Sequence, residues 1–276
     1  MKYTTLNNGV VMPMLGMGTY GLAQGPECVD AVKYAINGGY RSIDTACAYG
    51  NEASVGQAIR ESGIPRSEIF LTTKLWNEDQ RGGDVAGAMD SSLAAMGLDY
   101  VDLYIIHWPC KGHYSDAWLA LEKIYKAGKA RAIGVSNFQA HHIEKIKKRW
   151  TVVPALNQIE MHPYLTQKPL IAFCRGESIA PQSWSPLGGN GPLRQRIFES
   201  TAIAQICEKY NKTPAQVILR WNMDLGIIAI PKSGNPGRMD ENFNIFDFAL
   251  APEEIAALDA LNQDHRGGPD PDDFNF

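Results

Sequence analysis

Apolar positions along the chain alternate between short continuous runs and longer segments in which they recur every three or four residues. The short runs predict buried strands, and the longer segments predict helices with one apolar face. Strands are expected at 14–18, 41–44, 69–74, 101–107, 130–135, 155–160, 179–184 and 227–231. Helices are expected at 28–37, 51–62, 83–96, 116–127, 140–150, 167–175, 201–210, 214–223, near 238–242 and at 252–261.

The order of these elements predicts an α/β fold with a parallel sheet, because a helix separates each strand from the next. The units follow one another about every thirty residues, with no linker or break in composition, which favours one (β/α)8 TIM barrel domain over residues 1–276. Segment 4–13, with Asn7-Asn8-Gly9 at its centre, predicts an N-terminal β-hairpin that plugs one end. The last helices are extra C-terminal elements, and 262–276 is expected to be a surface loop.

Charge and composition narrow the function. The net charge of -4 gives no support to a nucleic-acid or membrane-surface role, which needs a basic patch. No apolar run is long enough to span a bilayer, and the first thirteen residues lack a signal-peptide pattern. The five cysteines are scattered and form no CxxC pair, which predicts reduced thiols in a cytoplasmic protein.

Three consecutive predicted strands end in polar groups: Asp44, followed by Tyr49 in the next loop, then Lys74, then His107. Taken singly, Asp44 is more simply a cap, Tyr49 a half-buried core residue, and Lys74 or His107 a satisfied core group. The ends of parallel strands in a barrel meet at one mouth, where active sites lie. Convergence of all four at that mouth favours a catalytic set.

These four side chains suit proton donation to an oxygen. Tyrosine has a pKa of about 10, and for proton donation near neutrality we expect this pKa to be lowered by roughly two units, which takes about 2.7 kcal/mol. An ammonium about 4 Å away, such as Lys74, supplies roughly 4 kcal/mol at an effective dielectric constant near 20. Asp44 would keep Lys74 charged, and His107 would orient the substrate oxygen. The set predicts protonation of an oxygen that gains negative charge, as in carbonyl reduction.

Motifs in the same order along nearly the whole chain resemble the aldo-keto reductase family. They are Asp44-Thr45-Ala46, Tyr49-Gly50-Asn51-Glu52, Thr73-Lys74-Leu75-Trp76-Asn77, 102–109, Gly134-Val135-Ser136-Asn137-Phe138, Asn157-Gln158-Ile159-Glu160 and Ile230-Pro231-Lys232-Ser233. The resemblance implies NADPH-dependent reduction of aldehydes or ketones, with a catalytic tetrad at Asp44, Tyr49, Lys74 and His107 and Tyr49 as general acid. It also implies a monomer. The compact chain and run 183–188 are similar to the bacterial 2,5-diketo-D-gluconate reductase branch, so that compound or another small carbonyl is the expected substrate.

The resemblance also implies the residues that contact NADPH. Those matching the carboxamide contacts are Ser136, Asn137 and Gln158, and the residue matching the ring-stacking aromatic is Trp184, where many members have tyrosine. Those matching the pyrophosphate loop are Ser185, Leu187 and Gly188. Those matching the 2′-phosphate site are Lys232, Ser233, Asn235 and Arg238, and those matching the adenine contacts are Glu241 and Asn242.

Two further groups complete the predicted site. Lys232 and Arg238 flank a Gly/Asn/Pro loop before a helix, which is a natural phosphate site, although two exposed basic residues on a surface loop would give the same pattern. Tyr20, Trp76 and Trp108 are expected to wall the substrate pocket, with the C-terminal tail closing over it.

Two other functions compete with this one. Segment 16–21 fits GxGxxG after a strand, which is close to the fingerprint of a Rossmann-type NAD-dependent dehydrogenase. The next helix begins only around 26–28, too far on for its N-terminus to receive a pyrophosphate. The second alternative is a non-catalytic barrel subunit that binds NADPH, and the complete tetrad argues against it.

No metal site is predicted. His141 and His142 stand at the start of an expected helix, and no carboxylate or cysteine follows them at the spacing of metal ligands.

Overall fold

The computed structural model of the protein describes residues 1–274 and 276. Strands β1 (Tyr3–Thr5) and β2 (Val11–Pro13) form an antiparallel hairpin. The parallel strands are β3 (Met17–Gly18), β4 (Ser42–Asp44), β5 (Phe70–Leu75), β6 (Val101–Ile106), β7 (Ala130–Ser136), β8 (Leu156–Glu160), β9 (Ala180–Trp184) and β10 (Ile228–Ile230). The helices are α1 (Pro26–Asn37), α2 (Glu52–Glu61), α3 (Asn77–Gly82), α4 (Val85–Met96), α5 (Tyr114–Lys126), α6 (Ala140–Lys147), α7 (Lys168–Gly176), α8 (Pro192–Phe198), α9 (Thr201–Tyr210), α10 (Pro214–Asp224), α11 (Pro236–Phe243) and α12 (Pro252–Asp259).

The eight-stranded sheet closes on itself. Each strand from β3 to β10 pairs in parallel with its neighbour in sequence. The two outer strands then meet, with Leu15 bridged to Ala229 and Gly18 bridged to Lys232. This order confirms the (β/α)8 barrel. It also shows that the Rossmann-type alternative is wrong, because the strand order of a doubly wound sheet reverses at its centre.

The glycines of the GxGxxG segment serve barrel closure. A Cβ atom on Gly16 would lie 2.9 Å from Ser42 Oγ, and one on Gly18 would lie 3.2 Å from the Ile230 carbonyl oxygen. Glycine therefore lets β3 fit closely between β4 and β10. Helix α1 starts at Pro26, as its delayed start in the sequence indicated.

The hairpin fills the end of the barrel where the strands begin, which we call the base. Leu6 and Met12 are buried in one apolar cluster with Phe70, Leu103 and Leu156. Each of those three side chains comes from a different parallel strand. The predicted plug is thereby confirmed, and the opposite end, the mouth, is where polar groups gather.

Two helices of the structure are not predicted by the periodicity. Helix α3 has six residues, nearly all polar, so it has no apolar stripe. Helix α8 has seven residues, and its only sequence signal is Gly191-Pro192, which places proline in the first turn. The longest described helix, α5, has 13 residues, and within the described chain no helix combines the length and apolar character needed to cross a membrane.

Candidate active site

The four predicted catalytic residues meet at the mouth. Asp44 ends β4, Lys74 lies near the end of β5, and Tyr49 ends a 3-10 turn, 47–49. The Lys74 ammonium donates to Asp44 Oδ1 at 2.5 Å, to the Thr45 carbonyl oxygen at 2.9 Å and to Tyr49 Oη at 3.2 Å. Lys74 is fully buried, so its charge is balanced by these partners rather than by water.

A buried asparagine fixes the loop that carries Tyr49. Asn51 accepts a hydrogen bond from Thr45 Oγ1 at 2.7 Å and donates to the carbonyl oxygens of Thr19 and Leu22, both at 3.0 Å. Gly50 ends the 3-10 turn in the left-handed conformation, with φ of 65°. The strand-to-helix loop is thus anchored to the preceding loop, and Tyr49 is held above Lys74.

Burial, which the Lys74 ammonium only partly offsets, keeps Tyr49 protonated. Burial raises the pKa of Tyr49, the Lys74 ammonium lowers it, Asp44 raises it, and the result lies above the ordinary value. The expected lowering by Lys74 is present, but loss of hydration outweighs it. Burial lowers the pKa of Lys74, but the charge of Asp44 and the hydrogen bonds to Asp44 and Tyr49 outweigh burial, so the pKa of Lys74 is raised. A neutral phenol beside a fixed ammonium is therefore the resting arrangement.

His107 completes the set as a neutral ring. Its centroid lies 5.7 Å from that of Tyr49. Burial, together with the charge of Lys74, lowers the pKa of His107 well below 6.5. Its Nδ1 is buried and has no hydrogen-bond partner within the described part of the chain. A neutral imidazole can donate one N–H to a substrate oxygen.

Gln158, predicted to contact the cofactor, also supports the tetrad. Its amide nitrogen donates to Asp44 Oδ2 at 2.7 Å and to Gln182 Oε1 at 2.8 Å. Asp44 thus accepts from Lys74 on one oxygen and from Gln158 on the other. Gln182, which the sequence did not indicate, belongs to this network through a side chain two residues before the end of β9.

A second chain of hydrogen bonds joins the other nicotinamide candidates to His107. The Asn137 side chain donates to the His107 carbonyl oxygen at 3.0 Å, and the Trp184 indole N–H donates to Asn137 Oδ1 at 2.8 Å. Ser136 Oγ donates to the Gln158 carbonyl oxygen at 2.9 Å. Asn137 has φ of 63°, a conformation uncommon outside glycine and often found at functional sites.

The predicted pyrophosphate loop follows β9 directly. Ser185 is left-handed with φ of 47°, and Gly188 N–H donates to the Ser185 carbonyl oxygen at 2.9 Å. Leu187 is buried. A Cβ atom on Gly188 would lie 2.7 Å from Ile197 of α8, so glycine is needed where the loop meets that helix.

The predicted 2′-phosphate residues surround the start of α11. Asn235 caps the helix, accepting from Arg238 N–H at 3.0 Å, and Ser233 Oγ accepts from Asn235 N–H at 3.1 Å. Lys232 and Arg238 are exposed. The positive charge of Arg238, after burial, lowers the pKa of Arg194 in α8, so three cations share this region. The sequence pattern does not indicate Arg194, because it does not predict the helix α8 that carries this residue.

The adenine candidates lie further along α11. Glu241 accepts a hydrogen bond from Thr213 Oγ1 at 2.5 Å, which ties α11 to the start of α10. Asn242 is buried. Glu241 therefore accepts one hydrogen bond within the protein, and the other lone pairs of its carboxylate could accept hydrogen bonds from a ligand.

Aromatic rings line the approach to Tyr49 and His107. Tyr20 lies edge-on to Tyr49 with centroids 5.1 Å apart, and Trp76 lies 5.1 Å from His107. Phe276 stacks on Trp76 at 5.9 Å. Tyr20 and Trp76 therefore border the tetrad, and the C-terminal tail packs on Trp76, whereas Tyr20 is exposed.

The tail contributes two phenylalanines that the sequence analysis did not single out. Phe274 packs against Trp108 at 5.2 Å, and Phe276 contacts Trp108 at 5.3 Å. Asn77 donates to the Phe276 carbonyl oxygen at 3.0 Å. The pair of aromatics in an otherwise Gly/Pro/Asp-rich segment was the available signal.

Glu160 holds the tail against the end of β8. Its carboxylate accepts from Gly267 N–H at 2.7 Å and from Gly268 N–H at 3.1 Å, and it lies 3.2 Å from His162 Nε2. A Cβ atom on Gly268 would lie 2.5 Å from the Trp184 indole, so the tail is in close contact with that ring. Glu160 is thus a strand-end carboxylate with a positioning role.

Comparison with known proteins gives a consistent classification. Residues 14–263 match the Aldo/keto reductase family. The chain is 50% identical to glyoxal reductase of Bacillus subtilis (strain 168) over 271 residues, covering 98% of this chain and 96% of that protein. It is 43% identical to methylglyoxal reductase DkgA of Escherichia coli (strain K12) over 273 residues, covering 98% and 96%.

Comparison with solved structures gives the same classification. An aldo-keto reductase, MGS-M4, from a Medee basin deep-sea metagenome library superposes with a TM-score of 0.95 at 39% identity, covering 99% of this chain and 100% of that one. The Bombyx mori aldo-keto reductase in complex with NADP superposes with a TM-score of 0.88 at 37% identity, covering 96% of this chain and 94% of that one. The chain therefore belongs to the aldo-keto reductase family, and its class as an oxidoreductase is confirmed. A cytoplasmic location, a monomeric state and a single domain stay predictions.

Proposed function

We propose that this chain reduces aldehydes and ketones to alcohols with NADPH, and that Tyr49 donates the proton. The contact that carries the proposal joins Lys74 Nζ to Tyr49 Oη at 3.2 Å, with Asp44 Oδ1 2.5 Å from the same ammonium. His107 lies beside the phenol at the barrel mouth. A phenol, an ammonium and a neutral imidazole close together at the barrel mouth suit an oxygen that gains negative charge.

The residues present fit NADPH. Trp184 offers an aromatic ring beside the tetrad, and its N–H is already bonded to Asn137, which fixes its orientation. The turn from Ser185 to Gly188 packs on α8 beside Arg194, which lies near Arg238. At the start of α11, a capped helix N-terminus and exposed cations favour a phosphate. The Bombyx mori relative was solved with NADP. We assign the nicotinamide to Ser136, Asn137, Gln158 and Trp184, the pyrophosphate to Ser185, Leu187 and Gly188, the 2′-phosphate to Lys232, Ser233, Asn235 and Arg238, and the adenine to Glu241 and Asn242.

In the proposed mechanism, the chain positions and protonates the carbonyl. The bound reduced nicotinamide supplies the hydride. His107 donates an N–H to the carbonyl oxygen and orients it next to Tyr49. As charge develops on that oxygen, Tyr49 gives up its proton, and the resulting phenolate is stabilised by the Lys74 ammonium. Asp44 keeps Lys74 charged through this transfer, since an uncompensated buried ammonium would lose its proton.

The substrate pocket supports small carbonyl compounds. Trp76, Trp108 and Tyr20 form apolar walls, and the tail rings Phe274 and Phe276 narrow the opening. Two relatives are named for glyoxal and methylglyoxal. We therefore place small dicarbonyl compounds, 2,5-diketo-D-gluconate included, ahead of bulky ketones.

A carbonyl panel tests the proposal. Purified protein would be mixed with glyoxal, methylglyoxal, 2,5-diketo-D-gluconate or benzaldehyde, with NADPH or NADH, and loss of reduced-cofactor absorbance recorded. We expect turnover with NADPH that is strongest among the small dicarbonyls. Tight NADPH binding without turnover of any carbonyl would favour the non-catalytic subunit instead.

A further inference from the structure

The start of α6 and the C-terminal tail bring two histidines and a carboxylate together. His141 Nε2 and His142 Nε2 are 3.1 Å apart. Asp272 Oδ1 lies 2.9 Å from His141 Nε2 and 3.3 Å from His142 Nε2. Local spacing predicted no partner for this pair, and the partner comes from a segment about 130 residues further along the chain. These three residues form what we call the tail triad.

The triangle of ligand atoms has the size of one face of a tetrahedral metal site. Zinc binds imidazole nitrogen at about 2.0–2.1 Å and carboxylate oxygen at about 2.0–2.2 Å, which places neighbouring ligand atoms about 3.3 Å apart. The tail triad has edges of 2.9, 3.1 and 3.3 Å, so an ion needs shifts of only a few tenths of an ångström. We propose that His141, His142 and Asp272 bind a divalent transition-metal ion, of which Zn²⁺ fits best.

The exposure of the triad suits a three-ligand site. His141 and Asp272 have side chains 58% and 53% exposed, so water can complete a tetrahedron on the open side. His142 is buried between the rings of Tyr114 and Phe138, which fixes its orientation. Two neutral imidazoles and a carboxylate form a donor set typical of zinc and other late divalent metals.

The protonation state also suits metal binding, which requires neutral imidazole. Burial is the main cause that lowers the pKa of His142 to about 4, and the charge of Lys145 adds to it. His142 Nδ1 accepts from Gln139 N–H at 3.1 Å. When Nε2 binds the ion, its proton moves to Nδ1 and that one hydrogen bond is given up.

An ion at the triad would tie the tail to the barrel. Asp272 precedes Phe274 by two residues, and Phe274 packs on the pocket wall at Trp108. The other tail anchor, Glu160, holds Gly267 and Gly268. Metal binding would therefore order the segment between the two anchors.

Titration of tag-free, metal-stripped full-length protein with Zn²⁺ tests the site. By calorimetry we expect one ion per chain in the wild type. His141→Ala and Asp272→Asn should each weaken binding at least about tenfold, since loss even of outer partners of metal ligands costs about 10- to 100-fold. The matched controls His265→Ala and Asp273→Asn alter an exposed histidine and a neighbouring tail carboxylate, and should bind as the wild type does.

A second measurement reports on the tail and does not depend on catalysis. Amide hydrogen exchange in 262–274 should slow when Zn²⁺ is added to the wild type, and should not change in His141→Ala. Co²⁺ should give the intense visible absorption of a tetrahedral site. Absence of saturable binding, or equal affinity in the wild type and both triad variants, would overturn the proposal.

Discussion

The mouth and the base of the barrel each contain a buried aspartate paired with cations. At the mouth, Asp44 pairs with Lys74 at 2.5 Å. At the base, near the start of β6, Asp102 forms salt bridges with Arg66 and Arg131, both at 2.8 Å, and accepts a hydrogen bond from Leu71 N–H at 3.0 Å. The two sites share the chemistry of an ion pair with a nearly inaccessible carboxylate.

The two ion pairs differ in the other groups that contact them. Asp102 is surrounded by permanent donors, and Arg131 reaches water, with a side chain 47% exposed. At the mouth the fully buried ammonium has Tyr49 as a further partner, a group with a proton that can leave. An ion pair closed by fixed donors stabilises a fold, whereas one that adjoins a labile proton can take part in a reaction. The strand ends of barrels divide these roles in the same way.

The largest expected effect is the fall in kcat when the labile proton of Tyr49 is removed. Tyr49→Phe should lower kcat about 10²- to 10⁴-fold, the usual contribution of general acid–base catalysis, and should leave NADPH affinity nearly unchanged. Steady-state rates and fluorescence titration with NADPH measure the two quantities. The control is Tyr20→Phe, since the Tyr20 side chain is 70% exposed and its ring contact with Tyr49 persists. Loss of cofactor binding in Tyr49→Phe would contradict the role given to this residue.

Removing each aspartate should then separate stability from activity. Asp102→Ala should lower the free energy of unfolding by about 2 kcal/mol, below the roughly 3–5 kcal/mol for a fully buried pair, because its arginines can turn to solvent. Its kcat should stay within about twofold of the wild type. Asp44→Asn should lower kcat at least about tenfold, because Lys74 loses the charge that balances it. Urea denaturation and steady-state rates measure both variants, and the opposite pattern would refute the comparison.

The next effect concerns Arg238, an exposed cation in the first turn of α11. Arg238→Ala should raise the KM for NADPH about tenfold, equivalent to about 1.4 kcal/mol, and leave the KM for NADH nearly unchanged. The reason is that only NADPH carries the phosphate assigned to this side chain. Arg131→Ala, at the base, is the matched control and should alter neither constant. Equal changes for both cofactors would remove the phosphate assignment.

The sequence could predict the barrel because strand and helix periods differ and repeat regularly. It could predict the meeting of Asp44, Lys74 and His107 because strand ends of a parallel barrel share one mouth. The predicted lowering of the pKa of Tyr49 is wrong, since burial in the folded geometry outweighs the effect of Lys74. Local spacing also cannot encode contacts between distant segments.

Those distant contacts account for the residues that were missed. Glu160 meets Gly267 across 107 positions of sequence. Phe274 reaches Trp108, and Asp272 reaches His141, from a tail that has no periodic pattern. Arg194 was overlooked because the seven-residue helix that carries it has too few turns to give a stripe. Each contact depends on how the tail or a short helix folds back over the mouth.

The smallest expected effect is the pH dependence of stability that His107 imposes. Its pKa in the folded protein lies well below 6.5, because burial and Lys74 disfavour the charged ring. Above about pH 6.5 the ring is neutral in both the folded and unfolded states and contributes no slope. As pH falls below that value, the unfolded state takes up a proton and the folded state does not, so stability falls by up to about 1.4 kcal/mol per pH unit.

Replacing the His107 ring should therefore make the free energy of unfolding depend less on pH below pH 7. His107→Gln should lose less stability than the wild type between pH 7 and pH 5, and the two should have equal slopes between pH 7 and pH 8. Urea denaturation at these three pH values measures the slopes, with His265→Ala as an exposed control that keeps the wild-type profile. A residual acid slope is expected from His142, whose pKa is lowered to about 4. If His107→Gln keeps the full wild-type slope, the ring is already charged in the folded state, and the mouth would hold two adjacent cations instead of the single ammonium that distinguishes it from the base.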